Sequence, residues 1–402
     1  MSSPRKSWVS GLVFDSIALI FFIVSSVVVI GSVIHLYLLR FPCRGSLLTG
    51  FIIKKGFCDV FDGDWVFDDS YPLYNSSKCP FAERGFDCLA NGRKDSGYLK
   101  LRWKPRHCDL PKFSPHNVLE SVRGKRVVFV GDSMSRTQWE SLICMLMSGV
   151  GDPGIVYEVN GSEITKTVRF LGVRFERYNL SVEFFRSVFL VRQGSPPKHG
   201  PRRVRAILEL DKVDEISSKW VDSDILVFNS GHWWTRSKLF HVGRHFQAGG
   251  RLKLGMPINA AFRRALHTWA SWVEKMVDTN RTQVFFRTYE PSHWSGSNGK
   301  GCNVSKQPSF EDKSEFGKIL NDVVTNMRVP VTLLNVTSMV CSEVMLILAL
   351  GITLLPIWIA ATGVSLEFQM LGMNFFSLTC SQMQSDSRQL KILQSVAFDS
   401  EL

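Results

Sequence analysis

The residues with the clearest chemical potential are Gly131, Asp132 and Ser133, which lie between a predicted strand and a predicted helix. Residues 126–130 form a short apolar, β-branched run that is typical of a buried strand. A serine at such a turn lies beside the free N–H groups of a helix N-terminus, which can stabilise an oxyanion. Ser133 can therefore serve as a nucleophile if a base is near it. The alternative is that it only caps the helix.

The helix after this turn is predicted to begin with Ser135 as its N-cap. Gln138 follows three residues later and has the type and spacing of a capping partner. The predicted buried face of the helix consists of Trp139, Leu142, Ile143 and Leu146.

Two further polar residues lie where they can contact a reacting group. Arg136 follows Ser133 by one helical turn and can hold a carboxylate or an oxyanion, or be a solvated surface arginine. Asn229 ends a predicted strand at 225–229 and can donate to an oxyanion, or simply form a turn.

Two aromatic segments carry a histidine. His232, Trp233 and Trp234 are consecutive, and they predict either a sugar-stacking wall with a hydrogen-bonding group or a packed loop. Glu290 precedes His293 by three residues, which allows an acid–base pair or a loop at a strand end.

Alternating strand and helix patterns predict an α/β fold with a mainly parallel sheet. Sites in such folds lie beyond the carboxyl ends of the strands, where the turn at Ser133 and the segment at Asn229 both fall. The predicted strands are 126–130, 167–177, 182–191, 204–210, 225–229, 284–288 and 331–336, and the predicted helices include 257–278 and 309–327. One face of the helix at 257–278 consists of Ala261, Ala265, Trp269, Val273 and Val277.

The N-terminal sequence predicts membrane anchorage. Residues 17–39 carry no formal charge and are long enough to span a bilayer. Six glycosylation sequons follow this segment and predict that the body is lumenal. They begin at Asn75, Asn160, Asn179, Asn280, Asn303 and Asn335.

Cysteine usage agrees with a lumenal body, because four cysteines fall in a loop-rich segment of about 50 residues. Their spacing lacks a C-x-x-C pair, so disulfides are favoured over zinc and no metal site is expected. The net charge of +12 is not accompanied by a nucleic-acid motif, so no nucleic-acid partner is expected.

Several blocks, in order, carry a resemblance to a known family. They are Cys58-Asp-Val-Phe-Asp-Gly-Asp-Trp-Val, Arg102-Trp-Lys-Pro, Cys108-Asp-Leu-Pro, Gly131-Asp-Ser-Met-Ser-Arg-Thr-Gln-Trp-Glu-Ser-Leu142, Phe228-Asn-Ser-Gly-His-Trp-Trp234, and the run from Arg287 through Glu290-Pro-Ser-His293-Trp to Cys302. The chain resembles the plant trichome birefringence-like proteins, which are Golgi polysaccharide O-acetyltransferases with a Cys-rich N-terminal module and an SGNH/GDSL-like PC-esterase domain.

The resemblance implies a three-layer α/β sandwich, preceded by the membrane helix and the disulfide-rich module. The segments predicted from the residues and the resemblance together are a cytoplasmic tail (1–16), the anchor (17–39), a stem (40–56), the Cys-rich module (57–110), the esterase-like domain (111–338) and a divergent tail (339–402). The implied disulfides are Cys58–Cys108 and Cys79–Cys144. The expected protein is a single-pass type II Golgi membrane protein.

The implied activity is transfer of acetyl groups to hydroxyls of xylan, xyloglucan, mannan or pectin through an acetyl-Ser133 enzyme. Arg136 and Asn229 would contact the oxyanion or the substrate. The predicted substrate-binding residues are Asp132, Gln138, His232, Trp233, Trp234 and His293. No bound cofactor is expected, but an acetyl donor is required, and a membrane protein is a candidate to supply it.

The chain departs from the family pattern in one respect. Members carry an Asp-x-x-His motif near the C-terminus that supplies the base and its orienting acid. None of the nine histidines here has an aspartate three residues earlier, and the match stops at Met339. Two alternatives therefore stay open: a non-catalytic polysaccharide-binding protein and a polysaccharide acetylesterase.

Overall fold

The computed structural model describes residues 59–83, 96–165, 168–289, 292–294, 304–309 and 314–340. These residues all belong to one unit, Ile52–Leu402. The predicted anchor at 17–39 and the tail after Val340 lie outside the described residues. Within the described ranges, no helix has the length and apolar character needed to cross a membrane.

The described residues contain fifteen strands and five α-helices. The strands are β1 Gly63–Phe67, β2 Leu101–Pro105, β3 Arg126–Gly131, β4 Val156–Glu158, β5 Phe170–Phe175, β6 Leu180–Arg186, β7 Val191–Gly194, β8 Ala206–Val213, β9 Ile225–Asn229, β10 Arg244–Ala248, β11 Arg251–Leu252, β12 Gln283–Arg287, β13 Ser292–Trp294, β14 Val304–Ser309 and β15 Thr332–Leu334. The helices are α1 Pro115–Ser121, α2 Ser133–Met147, α3 Ile258–Met276, α4 Ser314–Thr325 and α5 Val336–Val340. Short 3₁₀ turns occur at Ser76–Lys78, Gly97–Lys100, Pro153–Ile155, Glu176–Tyr178 and Glu215–Lys219.

A seven-stranded sheet with the order β15-β12-β9-β3-β6-β5-β4 forms the centre of the fold. Its pairings from β15 to β6 are parallel, and the two that add β5 and β4 are antiparallel. The predicted α/β class with a mainly parallel sheet is therefore confirmed. The carboxyl ends of β3, β6, β9 and β12 share one edge, which brings Gly131, Arg186, Asn229 and Arg287 to the same end of the sheet.

Alternating residues of β3 face opposite sides of this sheet, as the pleat of a strand requires. Val127 and Phe129 pack into a core with Trp139 of α2. Val128 and Val130 pack into a second core that contains α3, α4 and a smaller sheet. Because both faces of the sheet are covered here, the sequence of β3 is continuously apolar from Val127 to Val130 and does not alternate between apolar and polar residues.

The helices differ in how much of their surface they bury. The predicted face of α3 is confirmed, because Ala261, Ala265, Trp269 and Val273 are all buried, and Val277 is buried just beyond the helix end. The predicted face of α2 is buried as well, but every residue of α2 from Met134 to Leu146 is buried. A helix that is enclosed on all sides lies between other elements. The central sheet covers one side of α2, and N-terminal residues such as Tyr71 and Phe81 belong to the same core.

The N-terminal segment is joined to the α/β core by a covalent bond and polar contacts. Cys79 forms a disulfide with Cys144 of α2, with 5.5 Å between their Cα atoms. This is the second pair that the resemblance implies. Trp65 donates its indole N–H to the carbonyl of Met339 at 3.0 Å. Cys108 is also disulfide-bonded, and its predicted partner Cys58 lies outside the described residues.

The structure corrects three details of the predicted elements. Helix α2 begins at Ser133 with Asp132 as N-cap, so the prediction that Ser135 is the N-cap is wrong. The predicted strand at 182–191 is two strands, because β6 ends at Arg186 and β7 belongs to another sheet. That four-stranded sheet, with the order β11-β10-β8-β7, was not predicted, since β10 and β11 carry little apolar periodicity.

Candidate active site

Ser133 is the first residue of α2, directly after the carboxyl end of β3. Asp132 caps the helix, and its Oδ1 accepts a hydrogen bond from Met134 N at 2.9 Å. Ser133 itself is partly buried, whereas Asp132 is fully buried. The candidate nucleophile therefore lies on a rigid turn at the positive end of a helix.

The side chain of Asn229 holds this turn from the end of β9. Its Nδ2 donates to Asp132 Oδ1 at 2.7 Å. Its Oδ1 accepts from Asp132 N at 3.1 Å and from Ser135 Oγ at 2.6 Å. Asn229 is 2% exposed. In this arrangement both ends of the amide are engaged in positioning the turn rather than pointing to an oxyanion.

Gly131 is required by the close approach of Asn229. A Cβ at this position would lie 1.9 Å from Asn229 Oδ1 and 2.8 Å from Ser135 Oγ. Real Cβ atoms do not approach other heavy atoms so closely, so any larger residue must displace the amide.

Asp132 and His232 face each other, with 3.5 Å between Asp132 Oδ2 and His232 Nδ1. Burial acts to raise the pKa of Asp132, but the contact with His232 and the hydrogen bonds from Asn229 and Met134 outweigh it, so the pKa of Asp132 is lowered. The carboxylate is thus ionised beside the imidazole. The His232 ring is stacked on Tyr289, with 4.4 Å between the ring centroids.

Arg136 lies on α2 with its guanidinium buried against two carboxylates. Its Nε is 3.0 Å from Glu140 Oε1, and it also pairs with Glu83 of the N-terminal segment. Burial is the main cause that lowers the pKa of Arg136. These contacts make Arg136 a link between α2 and the N-terminal segment. Gln138, also predicted to bind substrate, is 1% exposed on the same helix.

The two consecutive tryptophans have different environments. Trp234 is 2% exposed and donates to Ser230 Oγ at 3.0 Å, so it belongs to the core. Trp233 is partly buried, and the guanidinium of Arg186 lies over its ring at 5.2 Å. Of the predicted sugar-stacking pair, only Trp233 has an exposed surface.

Sequence reasoning missed Arg186, although it borders the turn that carries the candidate nucleophile. It is the last residue of β6 and pairs in register with Gly131. The next residue, Ser187, also contacts this turn, since its N–H donates to the carbonyl of Gly131 at 2.9 Å. An arginine inside an apolar run was the available signal.

Two family models cover this architecture. Residues 110–342 match PC-Esterase, described as a GDSL/SGNH-like acyl-esterase family found in Pmr5 and Cas1p. Residues 56–109 match the PMR5 N-terminal domain. The chain belongs to the PC-Esterase family.

Curated relatives of this PC-Esterase protein are trichome birefringence-like proteins of Arabidopsis thaliana, so the resemblance predicted from the motifs is confirmed. Trichome birefringence-like 7 is 54% identical over 75% of the chain and 71% of its own length. Trichome birefringence-like 6 is 44% identical over 70% of the chain and 60% of its own length. The protein named trichome birefringence is 40% identical over 70% of the chain and 47% of its own length, so the chain spans about half of that relative.

The remaining predicted site residues of the PC-Esterase protein are His293 and the asparagines of the six sequons. His293 is in β13, which pairs with β14, and its side chain is not described. Five of the six sequon asparagines are described and all five are exposed: Asn75, Asn160, Asn179, Asn280 and Asn335. Asn303 lies outside the described residues.

Proposed function

We propose that this PC-Esterase protein is a Golgi membrane-anchored O-acetyltransferase that moves acetyl groups onto hydroxyls of a plant cell-wall polysaccharide. The observation that carries the proposal is the turn at Ser133: a serine at the first position of a helix, fixed by a buried Asp132–Asn229 network, in a member of an acyl-esterase family. The family assignment supports the acyl chemistry, and the geometry supports Ser133 as its nucleophile.

In the proposed reaction, Ser133 Oγ attacks the acetyl carbonyl of the donor and the donor group leaves. Two of the turn's amides are engaged, because Asp132 N donates to Asn229 and Met134 N donates to Asp132. The amide of Ser133, at the positive end of α2, is our candidate donor to the tetrahedral oxyanion. A sugar hydroxyl then attacks the acetyl-serine ester, which releases the acetylated glycan and restores Ser133.

The candidate general base is His232. It is the histidine that the described residues place against Asp132, and the pairing at Nδ1 would put the basic lone pair on Nε2. This assignment fills the role for which the sequence has no Asp-x-x-His motif. A His232→Gln variant keeps a hydrogen-bonding side chain but cannot accept the proton, so we expect acetylation of Ser133 to slow by at least about 100-fold.

The location and partners of the protein follow from the same proposal. The uncharged segment at 17–39 would anchor the chain in the Golgi membrane as a single-pass type II protein, and the five exposed sequons support a lumenal body. The acetyl donor would be delivered from the membrane, and the acceptor would be xylan, xyloglucan, mannan or pectin.

The test is acetyl transfer by the purified full chain, with p-nitrophenyl acetate as donor and wall polysaccharides as acceptors. Peptide mass spectrometry should detect one acetyl group on Ser133, and acetylated glycan should accumulate. Ser133→Ala should abolish both signals, and Ser271→Ala, at an exposed serine of α3, should leave them unchanged.

Two results would overturn the proposal. Release of acetate to water without transfer to any glycan would identify an acetylesterase. Glycan binding without any acetylation of Ser133 would identify a non-catalytic binding protein.

A further inference from the structure

Arg186 is a positive charge at the reacting end of the sheet without a matching carboxylate. Within the described part of the chain, no carboxylate forms an ion pair with its guanidinium, which lies over the ring of Trp233. Asp132 is the acidic residue that acts on it electrostatically, and Asp132 is already engaged by Asn229 and His232. A partly buried arginine without a counterion is costly, because burial removes its water.

Arg244 adds a second positive charge to the same aromatic cluster. Its guanidinium lies over Phe189 at 5.3 Å, and Phe189 meets Trp233 edge to face at 6.2 Å. Its Nη1 donates to the Lys238 carbonyl at 2.7 Å, but its Nε is buried without a hydrogen-bond partner.

The two arginines repel each other. Burial is the first cause that lowers the pKa of Arg244, and the charge of Arg186 is the second. Burial is likewise the main cause that lowers the pKa of Arg186. The negative charge of Asp132 raises this pKa, and the positive charge of Arg169 lowers it further. Arg169 differs from the other two, because it is paired with Asp214 at 2.6 Å. An anion bound between Arg186 and Arg244 would relieve this repulsion.

The aromatic surface beside these charges suits a sugar ring. Trp233 is partly exposed, and the Lys238 ammonium lies over its ring at 5.0 Å, in addition to Arg186. Sugar rings stack on such surfaces through their C–H faces, while a guanidinium matches a carboxylate with two parallel hydrogen bonds.

We propose that Arg186, with Arg244, binds the carboxylate of a uronic-acid unit in the acceptor polysaccharide, with the sugar ring beside Trp233. This inference rests on the proposed function, because it assumes that the acceptor is a glycan. The register of β6 with β3 would then place the uronate next to the turn that carries Ser133. The acceptor class is an acidic, uronate-containing polysaccharide rather than a neutral one.

The test compares an oligogalacturonide with the same oligomer after methyl esterification, which neutralises each carboxylate by converting it to a methyl ester. Binding to the full chain is measured by calorimetry without an acetyl donor, in a Ser133→Ala background, so that turnover plays no part. One charge-assisted bidentate contact predicts that the acidic oligomer binds about tenfold or more tightly than its ester.

Substitutions at Arg186 should remove this preference. Arg186→Gln should bring the acidic oligomer to the affinity of the ester and leave the ester unchanged. Arg186→Lys should keep part of the preference, because it keeps the charge but not the planar fork. Arg264→Gln, at an exposed arginine of α3, should bind like the parent protein.

Equal binding of the two oligomers by the parent protein would overturn the inference without any variant being needed. An unchanged preference in a folded Arg186→Gln protein would also overturn it. A separate measurement adds Arg186→Gln to the enzyme that keeps Ser133: a loss confined to acetylation of Ser133 by the donor, with the charge preference for the oligomers unchanged, would assign Arg186 to the donor and overturn the inference. Failure of the proposed function would look different, because it removes acetylation of Ser133 and leaves the charge preference intact.

Discussion

Replacing Gly131 with alanine tests how the turn at Ser133 is built. The added methyl group would lie 1.9 Å from Asn229 Oδ1 and 2.7 Å from the Asn229 carbonyl oxygen. The carbonyl belongs to the β9 backbone, so it cannot move freely. The Asn229 side chain must therefore leave the position in which it holds Asp132 and Ser135.

The expected cost follows from the hydrogen bonds that Asn229 makes. Two involve neutral partners, Asp132 N and Ser135 Oγ, and one is donated to the ionised carboxylate of Asp132. Neutral bonds contribute about 1 kcal/mol each and a bond to a charged group about 2 kcal/mol, so their loss should lower the free energy of unfolding by about 4 kcal/mol. Acetylation of Ser133 should fall with it, because the helix cap depends on the same carboxylate.

Chemical denaturation of the purified protein measures this change, and Gly151→Ala is the matched control. A Cβ at Gly151 meets no atom within 4 Å, and its backbone lies outside the left-handed region, so this variant should match the wild type within about 0.5 kcal/mol. A Gly131→Ala protein as stable as the control would refute the account of the turn.

Three further substitutions test ion pairs and a disulfide that stabilise the fold. Arg136→Met should destabilise the protein by about 3–5 kcal/mol in denaturant unfolding, because it removes the cation that pairs with the Glu140 and Glu83 carboxylates, and a change under about 1 kcal/mol would contradict this. Cys144→Ser opens the bond to Cys79, which closes a loop with a sequence separation of 65, and should cost about 4 kcal/mol. Wild-type protein unfolded under reducing conditions should lose more, because Cys108 is also disulfide-bonded, and a smaller loss than in the variant would contradict this. The hydrogen bond from Arg192 is the main cause that lowers the pKa of Glu209 from 4.5 to about 2, so this carboxylate should contribute stability that is complete above pH 4.5 and lost as the pH falls towards 2. Unfolding measured across that range should fall more steeply for the wild type than for Glu209→Gln, and parallel curves would contradict the assignment.

The sequence predicted the elements whose patterns are local. Strand β9 was predicted at its observed bounds, since four consecutive apolar residues precede Asn229 and all five are buried. The helix α3 was predicted within about two residues of its ends because its apolar face has the helical period. Strands with polar sequences, such as β10, gave no comparable signal.

The details of the site depended on contacts between distant residues. Asp132 and Ser135 are both good N-cap types, and Asn229, 97 residues beyond Asp132, helps fix which one caps the helix. Arg186 lies in an apolar stretch, and only the register of β6 on β3 shows that it borders the turn. Trp233 and Trp234 are neighbours in sequence, but one packs in the core and the other does not.

The Cys79–Cys144 bond bears on how relatives of this protein can exchange parts. The two family models meet at residues 109 and 110, which invites chimeras that join the N-terminal segment of one member to the esterase segment of another. In this fold, however, the Cys79–Cys144 disulfide and the Glu83–Arg136 ion pair each join a residue before that boundary to a residue after it. In a chimera, the helix that begins at Ser133 would pack against the N-terminal segment of a different family member. Functional chimeras should therefore be those whose parents carry matching residues at both contacts, whatever their overall identity.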